Sequence, residues 1–71
     1  MADRPMTSRA QQALTLAHSD AAARGDAFVG TEHLLLGLLA ERTGPAAQIL
    51  THLGVTRDRV EELLAQMRPR G

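Results

Sequence analysis

The chain has no cysteine, lysine, tryptophan or tyrosine, and its one aromatic residue is Phe28. Each absence removes a class of chemistry. Without cysteine there is neither a disulfide framework nor a thiolate zinc site to brace so short a chain, and nothing calls for an oxidising compartment. With a single ring, base stacking on aromatic platforms, the usual basis of single-strand binding, is nearly excluded. Eight arginines face eight acids, so no net field draws the chain to nucleic acid or to an anionic membrane. The longest apolar run falls far short of the roughly 20 residues that span a bilayer, and the amino terminus has no basic segment followed by an apolar one. A cytoplasmic protein without membrane or nucleic-acid partners is the expectation.

Catalytic patterns are missing too. Ser8 and Ser19 stand outside any nucleophile-elbow context, no GxxxxGK[ST] loop occurs, and His18, His33 and His52 form neither an HExxH arrangement nor a pair on one helical face. The residues therefore point to a non-enzyme with no metal and no cofactor.

What is present is helical periodicity. Gly30 to Leu39 reads GTEHLLLGLL, with Leu34, Leu35, Leu36, Leu38 and Leu39 nearly contiguous. One face of a helix cannot hide all five, so this segment is expected to be a central helix enclosed on nearly all sides, running from Thr31 as cap to about Arg42. Thr31 and Glu32 then sit at the end of it that reaches the surface.

The remaining chain supplies the neighbours. Thr7 is expected to cap a first helix whose buried stripe, Ala10, Ala13, Leu14, Ala17 and Ala21, is mostly alanine and lets another helix approach closely. Arg24 and Gly25 close it, and Phe28 and Val29 are expected to tuck under the bundle from the loop that follows. Gly44 and Pro45 begin a third helix carrying Ala46, Ala47, Ile49, Leu50 and Leu53, which Gly54 ends. Thr56 caps a fourth, with Val55 and Val60 as a hydrophobic staple and Val60, Leu63, Leu64 and Met67 as its buried face. The prediction is an all-α, compact four-helix domain over 1–71, with its core at about 6–67 and flexible ends at 1–5 and 68–71.

Two features invite binding chemistry. Helices three and four, joined through Gly54, could form a helix-turn-helix DNA-binding unit with Arg57 and Arg59 offered to a groove, but Asp58, Glu61 and Glu62 on the exposed side of the same helix would repel phosphates. The threonine-capped helix starts could each hold an anion, although such a cap is usually only a cap.

Read as a whole, TSRAQQALTLAHSDAAARGDAFVGTEHLLLGLL and GPAAQILTHLGV resemble the Clp amino-terminal domain, the substrate-receiving module of the AAA+ unfoldases that feed the Clp protease. The resemblance runs from about Met6 to Met67. It implies one four-helix Clp N-type repeat, half of the usual tandem eight-helix domain, without the ATPase modules that follow in the family. It also implies partners: Clp adaptor or substrate proteins, among them phosphoarginine-bearing ones, and Clp-directed cyclic peptides. In the family a glutamate of the GTEH motif pairs with the phosphoarginine guanidinium and a threonine at the start of the first helix helps hold the phosphate; the matching positions are Glu32 and Thr7. The chain departs from the family at Met6, where phenylalanine is common, and at Ser8, where glutamate is common.

A lone repeat lacks its sister. Leu16 and Leu36 lie off the main stripes and are expected to be left uncovered, which favours a twofold homodimer imitating the tandem domain. Two roles fit, a freestanding regulator or decoy and a fragment of a longer unfoldase; Met1 and the tail ending RPRG favour the former.

Overall fold

Among the described residues four helices follow one another with short connections: α1 (Ser8–Ala23), α2 (Thr31–Glu41), α3 (Pro45–His52) and α4 (Arg57–Met67). The computed structural model describes residues 4–68, and no strand occurs among the described residues. The chain is all-α, as its periodicity predicts.

The helix boundaries follow from local chemistry. Thr7 caps α1 by accepting the Ala10 amide at 3.1 Å, and Thr56 caps α4 by accepting the Arg59 amide. Gly25 and Gly54 take positive φ just past α1 and α3. Beside them, Asp26 N–H bonds to Ala21 O and Gly25 N–H to Ala22 O, and Val55 N–H bonds to Leu50 O and Gly54 N–H to Thr51 O. Both endings are Schellman motifs, in which a residue without a side chain reverses the backbone while the last carbonyls keep partners.

Thr31 is not a cap. The N-cap of α2 is Gly30, and Thr31 is the first helical residue. The histidine explains the shift: His33 Nδ1 accepts the Gly30 amide at 2.7 Å, half of a capping box, so the helix needs no hydroxyl at its start.

α2 is the hub that the other three helices all meet. Its main partner is α1, and the side chains between them are small: Gly37 faces Ala13 and Ala17, which are buried together with Ala21 and Leu36. The alanine stripe read from the sequence does bring two backbones together. Arg9, near the start of α1, donates to Thr43 just past the end of α2, so the two helices run antiparallel.

The corner between α2 and α3 is built on a buried acid. Glu41 accepts from the Gly44 amide at 2.7 Å and from the Thr43 hydroxyl at 2.6 Å, with Arg9 3.7 Å away. Arg42 takes φ 69°, and the Thr43 amide bonds back to the Glu41 carbonyl at 2.8 Å, a tight three-residue turn that leaves room for Pro45 to open α3.

Enclosure of α2 is less complete than its leucine content predicts. Leu36 is fully buried, contrary to its expected exposure, while Leu34 is exposed and Leu35, Leu38 and Leu39 are half-buried. Phe28 does not tuck under the bundle: it is 85% exposed, on a loop whose backbone is fixed by the α1 ending and by polar bonds to His33. On α4 only Leu64 is buried, and Leu63 and Met67 are 53% and 76% exposed; on α3 only Ala47 is buried, and Ile49 and Leu53 are exposed. Both pack their backbones closely against α2 alone, with α4 meeting α1 through side-chain ion pairs, so each has one narrow apolar face to cover. Leu16 is half-buried beside a small hollow between α1 and α2.

Candidate functional site

The start of α2 gathers charge from three parts of the chain. Asp26 comes from the α1–α2 loop, Glu32 and His33 from the first turn of α2, and Arg68 from the residue that ends α4. His33 is buried and fully engaged: Nδ1 takes the Gly30 amide, which leaves Nε2 to donate to Asp26 Oδ2 at 2.7 Å. The same Asp26 oxygen accepts Arg68 Nη1 at 2.9 Å, and Arg68 Nη2 donates to Glu32 Oε2. One guanidinium thus forks between two carboxylates that lie 42 and 36 residues before it in sequence.

These bonds set the charge states. The Asp26 carboxyl is held below its usual range first by the His33 bond and then by Arg68. Glu32 is held low first by its own backbone amide in the opening turn of the helix and then by Arg68. Arg68 is pushed up by its bonds to Asp26 and Glu32. Asp26, Glu32 and His33 place three ligand atoms within 4.8 Å of one another, a spacing a metal could use. The donor set is already committed, however, since both His33 nitrogens are bonded and the guanidinium sits on both acids.

Beside this cluster lies a groove of about 560 Å³ between α2 and α4, floored by Leu35, Val60, Leu63, Leu64 and Met67, with Glu32 and Arg68 on its lining. It is an apolar trough with a charged end, a form suited to a peptide that carries both apolar and charged side chains. The trough exists because α4 buries so little of its apolar face.

Of the residues singled out in the sequence, Glu32 lies in this cluster and Thr7 does not. Thr7 opens α1, whose first turn packs beside the far end of α2 through Arg9, Thr43 and Glu41. Between Glu32 and Glu41 the helix rises about 14 Å, so the two candidates occupy opposite ends of the α1–α2 pair. Asp26, His33 and Arg68 were not singled out. For His33 a signal was available, since a polar side chain at the third position of a glycine-capped helix can reach back to the cap. For Arg68 there was none: the tail expected from residue 68 lies outside the described residues except for Arg68 itself, and that residue is anchored by contacts 36 and 42 positions away.

A second charged cluster links α1 to α4. Arg24 donates to Asp20 at 2.8 Å and to Glu61 at 2.7 Å, and its pKa is raised by both, Asp20 first. Arg57 pairs with Glu61 at 3.2 Å and approaches Asp20 at 3.7 Å. Arg57, offered to a DNA groove by the sequence, is drawn into intramolecular ion pairs instead.

Comparison with known proteins places this geometry. The Clp repeat (R) N-terminal domain family matches residues 5–71. The "Negative regulator of genetic competence ClpC/MecB" of Bacillus subtilis is 39% identical over 61 residues, 86% of this chain and 8% of that protein. The "ATP-dependent Clp protease ATP-binding subunit ClpC" of Staphylococcus epidermidis is 44% identical over 57 residues, 80% of this chain and 7% of that protein. "Chaperone protein ClpB" of Oceanobacillus iheyensis is 39% identical over 61 residues, 86% of this chain and 8% of that protein. The chain thus spans less than a tenth of each of these relatives. No solved structure matches it.

Proposed function

The chain belongs to the Clp repeat N-terminal domain family, and from that premise we propose that it is a non-enzymatic module that binds adaptor or substrate proteins of the Clp protease system, with arginine-phosphorylated proteins as the specific ligands. The observation that carries the reading is that Glu32, at the open end of an apolar groove, already receives a guanidinium in a charge-assisted bond. A carboxylate so placed can take the guanidinium of a ligand, and the neighbouring trough can take the apolar side chains that flank it.

The phosphoryl group needs its own donors, and the separation of Thr7 from Glu32 bears on where they come from. The phosphoryl group of phosphoarginine is bonded directly to a guanidinium nitrogen, so one ligand cannot bridge the two ends of α2. In a twofold homodimer with α2 helices antiparallel, Thr7 of one protomer and Glu32 of the other can share one ligand, since such symmetry repeats each contact in the reverse sense. The exposed Leu34, which lies outside the trough, supplies apolar surface for such a contact. In this form the protein acts as a freestanding regulator or decoy, capturing adaptors, substrates or Clp-directed cyclic peptides; as part of a longer unfoldase, the same module receives substrates.

Calorimetric titration with free phosphoarginine tests the site. Wild type is expected to release heat and Glu32→Ala to release none; equal heats, or none in either, would end the phosphoarginine reading. Light scattering at high concentration tests the assembly, and a particle of one-chain mass would exclude the shared site.

A further inference from the structure

The Glu32 carboxylate is occupied by the chain's own Arg68, and we infer that Arg68 is a built-in competitor which a ligand guanidinium must displace to bind. The inference rests on the reading of Glu32 as a guanidinium receptor and adds its regulation. Arg68 presents to Glu32 and Asp26 a planar, charged fork through Nη1 and Nη2; an arginine side chain presents the same fork, and phosphoarginine keeps a guanidinium edge with N–H donors for Glu32. A ligand guanidinium that takes Glu32 as a bidentate fork needs both carboxylate oxygens, and Arg68 already holds Oε2, so the two like-charged groups compete for that oxygen.

Geometry makes the occupant exchangeable. Arg68 is the residue at which α4 ends, with extended backbone at φ −104° and ψ 104°, so its side chain can swing away without breaking a helical turn. The three charged side chains are between a quarter and two-fifths exposed, which leaves solvent to receive a displaced guanidinium. Contacts of this exposed kind are weak, so the self-contact tunes affinity and does not block the site. Because Arg68 also ties the end of α4 to the start of α2, its release loosens the wall of the apolar groove. Binding of the charged group and opening of the trough are thereby coupled.

For a site whose competent state is only partly populated, apparent affinity falls by that populated fraction. A half-exposed ion pair corresponds to about a two- to sixfold loss. The test is calorimetric titration of the full chain with phosphoarginine, using wild type, Arg68→Gln, Glu32→Ala and the double variant, with circular dichroism confirming equal helicity. Arg68→Gln is expected to bind about two- to sixfold more tightly than wild type, with Glu32→Ala abolishing binding in both backgrounds. Unchanged or weaker binding by Arg68→Gln, with the Glu32 dependence intact, would overturn the competition and leave the proposed function standing. Binding in none of the four would overturn both. A measurement on wild type alone covers the case in which Arg68→Gln fails to fold: at saturation the Arg68 Nη–H resonances, which report its bonds to Asp26 and Glu32, should move to the positions of a solvent-exposed arginine. A resonance unmoved by saturating ligand would refute the displacement.

Discussion

Gly37 is where the fold is most exposed to a single methyl group. A Cβ at this position would lie 2.4 Å from the Ala13 carbonyl oxygen, 3.0 Å from the Ala17 amide nitrogen and 3.2 Å from the Ala17 Cβ. Two of these are backbone atoms in the middle of α1, which cannot rotate out of the way as a side-chain tip can. The helices would have to separate by about 1 Å before carbon and oxygen reached an ordinary contact distance. A gap of that size forfeits roughly a quarter to a half of each dispersion contact across the interface, and this interface buries Ala13, Ala17, Ala21 and Leu36.

Two terms oppose each other in Gly37→Ala. Replacing a mid-helix glycine by alanine favours the helix by about 0.8–1.0 kcal/mol, while overpacking a close contact costs about 1–3 kcal/mol. Because the first clash is with backbone, the upper part of the second range applies, and the variant should be less stable by about 1–2 kcal/mol. At about 4–8 °C per kcal/mol for a domain of this size, the melting temperature should fall by roughly 5–15 °C. Gly37→Ser should fall further, since it adds an atom to the same space. Urea denaturation with thermal melting by circular dichroism measures both, and a Gly37→Ala protein as stable as wild type or more so would refute the backbone contact.

The helix starts should separate in the same assay. Thr7→Ala and Thr56→Ala each remove a side-chain cap and should cost about 0.5–2 kcal/mol, whereas Thr31→Ala should stay within about 0.5 kcal/mol, because Gly30 and His33 form that end. Acid should destabilise the chain in a defined direction. Asp26, Glu32, Glu41 and Glu61 all titrate below their ordinary range in the folded state, so their contribution is complete above the unfolded values and disappears as pH falls through the folded ones. Urea midpoints should be level above about pH 5 and fall below about pH 4, and Glu41→Gln should lower the neutral plateau while flattening the acid limb.

Much of this fold was legible because its punctuation is local. Thr7, Gly25, Gly44 with Pro45, Gly54 and Thr56 each act on backbone within a few residues, so the sequence places those boundaries without knowing the tertiary structure. The alanines of α1 likewise announce a close neighbour, and Gly37 supplies it. Enclosure was not legible. Leucine content says what a helix would gain from burial, not how many partners exist to provide it, and among the described residues α3 and α4 each pack closely on α2 alone, the link from α4 to α1 being made by ion pairs. Phe28, Leu63 and Met67 were assigned to the core on that mistaken premise. The charged cluster shows the same limit from the other side, because Asp26, Glu32 and Arg68 carry no pattern that links positions 36 and 42 residues apart.

Those misassigned residues and the cluster have one structural origin. With α2 as the hub, every other helix is satisfied along one strip, and the apolar remainder of α4 faces a trough that ends at Glu32. Had α4 packed on a second helix, Leu63 and Met67 would be core, the trough would close, and Arg68 could not reach the start of α2 without crossing it. The shortage of partners that makes the domain frugal in buried area is therefore the condition that keeps a carboxylate, a removable guanidinium and an apolar channel side by side. Filling the channel to stabilise the domain, for example by enlarging Val60, should act against ligand capture, because the added packing and the ligand compete for the same volume.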